Sequence, residues 1–145
     1  MTATSLARTE LEAIARRWVE AGWRRGDATA VRAMYAEDFV DLSHPSGQPG
    51  NRDDNVAGIV ELYQAFPDFM TVVNDLVIDE TAGTVAVRWS ATGTHRGPFM
   101  GVVPTGRPVR FTGIETLRVV NGLIVERAGE WNGLEILDQI GVQWS

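Results

Sequence analysis

The chain has 145 residues, 44% of them hydrophobic and 22% charged, and a net charge of −6. It is expected to form one domain over residues 1–145 with a self-sufficient core, and its acidity argues against nucleic acid or an anionic membrane as the main partner. Cysteine and lysine are both absent, which excludes disulfides, thiol nucleophiles, thiolate-bound zinc and Schiff-base chemistry. Leu11, Ile14, Ala15, Trp18, Val19 and Gly22 recur at helical spacing, so a first amphipathic helix is predicted over about residues 6–24. Gly26-Asp27 ends it, and Asp27 can cap a short second helix reaching about Tyr35. "DFVDLSHPSGQPGN" reads as a short strand running into a loop. Asp53 can cap a third helix over about 53–66, with Val56, Ile59, Val60 and Tyr63 on one side and Pro67 as its stop.

The hydrophobic period then changes from that of helices to that of strands. "FMTVVNDLVID", "GTVAVRWSATG", "RPVRFTGIETLRVV" and "GLIVERAGEW" read as four strands. Asn121-Gly122 is a two-residue hairpin signal between the last two. "HRGPFMGVVPTGR" is a long loop, and "LEILDQIG" a short closing helix. Helices come first and strands after, without alternation or repeats. The expected class is α+β: N-terminal helices packed on a curved, mostly antiparallel sheet, a cone-shaped α+β barrel with an internal pocket. No apolar run approaches the roughly 20 residues of a membrane span. The first residues lack the apolar stretch of a signal peptide, so the expected location is the cytoplasm.

Catalysis is left to Asp, Glu, His, Tyr and Arg. The only histidines are His44 and His95, and no spacing typical of a metal site, phosphate loop or dinucleotide fold appears. No metal or cofactor is expected. Glu115 is the conspicuous residue. In "VRFTGIETLRVV" it lies in register with Val109, Phe111, Leu117 and Val119, the apolar row of a strand. A regular hairpin at Asn121-Gly122 sets Leu117 opposite Glu126 and Glu115 opposite Ala128. That places Glu130 on the same face as Glu115, with Arg127 and Trp131 on the other. If that face lines a pocket, desolvation would make a glutamate a useful acid or base.

The stretch "AFPDF", then "VAVRWSATGTHRGPFMGVVPTGRPVRFTGIETLRVVNGLIVER" and "LEILDQIG", resembles the SnoaL-like polyketide cyclase family. The likeness runs from "MYAEDFVD" onward, and "GTHxGxFxGxxPTGRxVxFxGIE" is its specific part. The resemblance implies the nuclear-transport-factor-2-like fold shared with ketosteroid isomerase and limonene epoxide hydrolase, often as a homodimer packed through sheets. It also implies metal-free and cofactor-free acid/base ring closure of an aromatic polyketide by aldol condensation. The family's usual aspartate on the last strand matches Gly129. Its two usual histidines match Glu115 and Arg127, and an aspartate before the last helix matches Asn132. Gly129's face conflicts with the regular hairpin. A β-bulge near Ala128-Gly129 would reconcile the two, and otherwise Arg127 and Trp131 face the pocket in place of Glu130.

The resulting expectation is a cofactor-independent cyclase or isomerase acting on a small, apolar, polycyclic organic substrate. Glu130, beside the vacant aspartate position, is the favoured acid/base, and Glu115 the second carboxylate or an orienter. Asp41 and His44, in the loop expected near the pocket mouth, are candidate substrate contacts, as are His95, Arg127 and Asn132. Trp89 and Trp131 are expected to pack and to wall the pocket, with Tyr63 and Phe66 in the core. Epoxide opening, double-bond isomerisation, assistance in hydroxylation and non-catalytic binding of a small molecule are the alternatives.

Overall fold

A computed structural model describes residues 7–44 and 47–143. The predicted elements are present in the predicted order: α1 (Arg8–Val19), α2 (Ala28–Met34), β1 (Tyr35–Asp41), α3 (Arg52–Ala65), β2 (Met70–Asp79), β3 (Thr84–Thr94), β4 (Pro108–Val120), β5 (Leu123–Trp131) and α4 (Gly133–Gln139). The predicted start of the first helix, residue 6, lies outside the described residues. No helix among those described is long and apolar enough to cross a membrane.

Each boundary has a local cause. The first helix continues beyond α1 as a π-turn over Glu20–Arg24, and Gly26, at φ +65, lets the chain turn. Asp27 caps α2 by accepting the Ala30 N–H at 3.0 Å, as expected. The cap of α3 is a correction: Asn51, rather than Asp53, forms a reciprocal capping box with Asp54. Asp53 instead pairs with Arg32 at 2.6 Å. On the predicted side of α3, Ile59 is buried and Val56 and Tyr63 pack against the core, Asn55 is buried beside them, and Val60 is the exception, being exposed.

The sheet is open and mixed, with the order β1-β5-β4-β3-β2. β1 runs parallel to β5, and all other neighbours are antiparallel. The helices lie on its concave side, where Trp18, Tyr35, Phe39, Ile59, Phe66, Phe69, Trp89 and Phe111 are buried together. Burying such large apolar side chains supplies the main driving force for this arrangement. Two grooves of about 210 and 590 Å³ run between α1 and β2. Neither is lined by Glu115, Arg127 or Asp41.

The loop between β3 and β4 folds back on itself. Phe99 and Val102 exchange backbone hydrogen bonds of 3.0 and 2.8 Å around Met100 and Gly101. Both central residues have positive φ, 47 and 79, the geometry of a hairpin turn that favours Asn-Gly. A non-glycine residue there is held against its preference, and Asn tolerates that region better than Met. Met100→Asn is therefore expected to raise the unfolding free energy by about 0.5–1 kcal/mol in urea titrations.

Candidate active site

The site is decided by one bulge. Asn121 and Gly122 have φ of 51 and 81, so the tight hairpin forms as the sequence signals. Val120 then pairs with Leu123 and Val119 with Ile124, but Arg118 pairs with Glu126. Val125 is the extra residue. From there on β5 is shifted by one position, which moves its side chains to the opposite face. Leu117 faces Arg127, and Glu115 faces Gly129. The bulge expected near Ala128-Gly129 therefore occurs earlier, at Val125.

This corrects the expected pairing of the two glutamates. Glu130 lies opposite Ile114 on the convex face and is exposed. Arg127, Gly129 and Trp131 take the concave face with Glu115. Because β1 runs parallel to β5, Asp41 pairs with Arg127 and completes a row Val85–Leu117–Arg127–Asp41 across the sheet.

The outcome is a buried ionic cluster. Arg127 donates one terminal nitrogen to Asp41 Oδ1 at 2.9 Å and the other to Glu115 Oε1 at 2.6 Å. The side chains of Arg127, Asp41 and Glu115 retain only 12%, 3% and 6% of their exposure. Asp41 is further tied by Asn55 Nδ2–H to Oδ2 at 2.8 Å and by the Ser43 N–H to Oδ1 at 3.1 Å. Behind Asn55, the Tyr35 hydroxyl donates to Asn55 Oδ1 at 2.6 Å, and the Trp18 indole N–H donates to Tyr35 at 2.9 Å.

Two carboxylates share one guanidinium, so the fully ionised cluster carries a net negative charge with little solvent to spread it. Burial pushes the Glu115 carboxyl above its ordinary range, against the pull of Arg127 and helped by the charge on Asp41. Burial alone would weaken the Arg127 cation, but the two adjacent carboxylates hold it more firmly protonated than usual. Burial likewise pushes the Tyr35 phenol upward. Glu115 Oε1 is occupied by Arg127. The sealed polar atoms without a partner among the described residues are Thr71 Oγ1, His95 Nε2 and Arg127 Nε. Among the described residues, the hydrogen bond to Glu115 is the one from Arg127 to Oε1.

Gly129 explains why the family's aspartate has no place here. A Cβ at this position would lie 2.7 Å from an Arg127 terminal nitrogen and 2.9 Å from Glu115 Cγ. The volume is taken by the ion pair. Gly129→Ala is expected to lose about 1–3 kcal/mol in denaturant melts, because neither buried partner can retreat without giving up its contact.

The other candidates separate clearly. Trp89 and Trp131 both stand against Phe111, at ring distances of 5.5 and 6.1 Å, and Trp131 also approaches Phe99 at 6.2 Å. Trp89 is buried, whereas Trp131 is 41% exposed and forms an aromatic rim. Ser43 Oγ accepts the Gly129 N–H at 3.0 Å beside the cluster, which leaves its own hydroxyl proton free to donate. His44 is half-buried against Gly50. His95 is fully buried, and its Nδ1 accepts the Thr105 N–H at 3.2 Å, so it stabilises the β3–β4 loop. Asn132 caps α4 by accepting the Glu135 N–H at 3.0 Å. Tyr63 and Phe66 pack as core residues. Among the described residues, no three of His, Cys, Asp and Glu gather where they could hold a metal ion.

Asn55, Tyr35 and Ser43 escaped the sequence reading. The available signal was Asn55, a polar residue one helical turn before Ile59. Its burial is tolerable because both ends of its amide are satisfied.

A family model described as SnoaL-like polyketide cyclase matches residues 13–140. The chain belongs to the SnoaL-like polyketide cyclase family. Solved structures of the same architecture agree. AclR of Streptomyces galilaeus, a candidate hydroxylase, is 32% identical with a TM-score of 0.84, over 93% of this chain and 98% of that one. IdmH of Streptomyces antibioticus, a candidate polyketide cyclase, is 31% identical with a TM-score of 0.79, over 91% and 99%. A SnoaL-like protein of Jannaschia sp. CCS1 shares the fold at 22% identity, with a TM-score of 0.84 over 99% and 100%. No curated protein matches the chain. As a SnoaL-like protein it presents the family's scaffold with Glu115, Arg127 and Gly129 where the resemblance places two histidines and an aspartate.

Proposed function

We propose that this SnoaL-like protein is a cofactor-independent acid/base cyclase acting on an apolar polyketide-type substrate, with Glu115 as the group that moves the proton. The observation that carries this reading is a buried carboxylate, set in an apolar strand row, with one oxygen fixed by Arg127. Burial raises its proton affinity, which suits it to take a proton and return it. Oε2 would remove a proton from the carbon between two carbonyls. The enolate would attack a second carbonyl of the same molecule, and Glu115 would return the proton to the oxygen formed there, with loss of water completing a condensation. Ser43 supplies a hydroxyl donor for the substrate oxygen, and Phe111 and Trp131 offer flat apolar walls.

The test uses an aromatic β-diketone in deuterated water, with deuterium uptake followed by NMR. Exchange well above the buffer rate, lost in Glu115→Gln and retained in Glu130→Gln, supports the reading. Binding of the diketone without exchange would make the protein a binding module. The likeness to AclR favours hydroxylation as a second reading. Labelled dioxygen separates the two, because ring closure takes up none.

The convex face of the sheet exposes Met70, Val72, Val77 and Ile114, and this reading includes a homodimer packed through that face. Light scattering is expected to give twice the chain mass, and Ile114→Arg with Val77→Arg to halve it.

A further inference from the structure

The hydrogen-bond chain behind Asp41 runs in one direction only. An indole N–H can only donate, so the Trp18 bond at 2.9 Å makes the Tyr35 oxygen an acceptor. The single Tyr35 proton then goes to Asn55 Oδ1 at 2.6 Å. That fixes the Asn55 amide with its NH₂ toward Asp41, which it meets at 2.8 Å. Asp41 thereby receives three donors: Asn55, Arg127 and the Ser43 N–H. Glu115 receives one, from Arg127. Burial raises the Glu115 carboxyl, and hydrogen bonds to a carboxylate favour its charged form, so a site with few donors does little to oppose that rise. Among the described residues, the charged and titratable groups facing Glu115 are Arg127 from β5 and Asp41 and Tyr35 from β1.

We propose that Tyr35 and Asn55 are positioning residues: they hold Asp41 as the anion of the cluster and leave Glu115 as the carboxyl that takes up and releases the proton. This rests on the reading of Glu115 as the acid/base, and it adds two residues whose side-chain hydrogen bonds go to Trp18, to each other and to Asp41 rather than to Glu115. The stack of Tyr35 on Phe39, with ring centres 3.8 Å apart, keeps the phenol aimed at Asn55.

The test needs no substrate. The intact protein, labelled with ¹³C at its carboxyl groups, is titrated by NMR, and the Glu115 signal is assigned by its loss in Glu115→Gln. Tyr35→Phe keeps the stacked ring and frees the Asn55 amide, while Asn55→Leu removes the donor to Asp41. Both variants are expected to lower the Glu115 midpoint by about one pH unit, a tenfold drop in proton affinity, as Asp41 becomes the competing acceptor. An unchanged or raised midpoint in folded Tyr35→Phe overturns the proposal, even if thermal stability falls, because that marks the chain as purely structural. Should Asn55→Leu not fold, Tyr35→Phe decides alone. Retention of diketone exchange by Glu115→Gln would instead remove the catalytic reading and leave the titration result standing.

Discussion

Arg127→Met is expected to lower the unfolding free energy by about 3–5 kcal/mol at pH 8, the usual cost of removing one partner of a buried ion pair. The size follows from charge stoichiometry. Wild type sets one guanidinium between two carboxylates whose side chains are 3% and 6% exposed. Without the cation, both carboxylates stay buried with no opposite charge. Methionine restores much of the stem's packing, so the loss is mainly electrostatic.

The same variant is expected to gain a strong pH dependence. Glu115 already binds its proton more tightly in the folded chain than the ordinary value of 4.5. A carboxyl raised in this way adds stability that is fully present below its unfolded pKa and is lost as pH rises through the folded one. Removing Arg127 removes the main influence that lowers the Glu115 pKa, so the window extends further upward. Urea melts of Arg127→Met are therefore expected to show higher stability at pH 5 than at pH 8, by a larger margin than in wild type. A loss below about 1 kcal/mol at pH 8, or a pH profile like that of wild type, would show that the ionic cluster is not what holds β5 to β1.

Glu115→Gln is expected to behave in the opposite way. It leaves Arg127 facing Asp41 alone, a balanced pair, and the glutamine oxygen can still accept from the guanidinium. Stability at neutral pH is expected to stay within about 1 kcal/mol of wild type. Proton transfer is not expected to survive, because a neutral amide acts as neither base nor acid at these pH values. The loss is about 10²–10⁴-fold in turnover with KM little changed, the range for a positioned acid/base. Turnover and urea melts on the same preparation check both halves. A stable variant with full activity would refute Glu115 as the acid/base, and an unfolded one would refute the charge count.

The convex-face position of Glu130 makes it the internal control. It sits opposite Ile114, which itself neighbours Arg88 on β3, so it is a solvent-side ladder residue. The regular hairpin assigned it to the pocket because a period of two was carried through β5 without interruption. One extra residue at Val125 exchanges the faces. Nothing in "GLIVERAGEW" signals that bulge, since Val125 is an ordinary strand residue. The shift instead brings Arg127 between two inward carboxylates, one of them on a strand more than eighty positions earlier.

The sequence by itself determined the class and order of elements. Hydrophobic period, caps and breakers are local properties, and they placed the helices, the strands and the Asn121-Gly122 turn close to where they form. It also singled out Glu115, because a carboxylate in an apolar row conflicts with its register whatever surrounds it. Only the tertiary structure decided which partners Glu115 would have. The parallel pairing of β1 with β5, the bulge at Val125 and the burial of Asn55 are long-range choices. They are set by how ions and amides can be satisfied once water is removed, and no short window of sequence contains that balance.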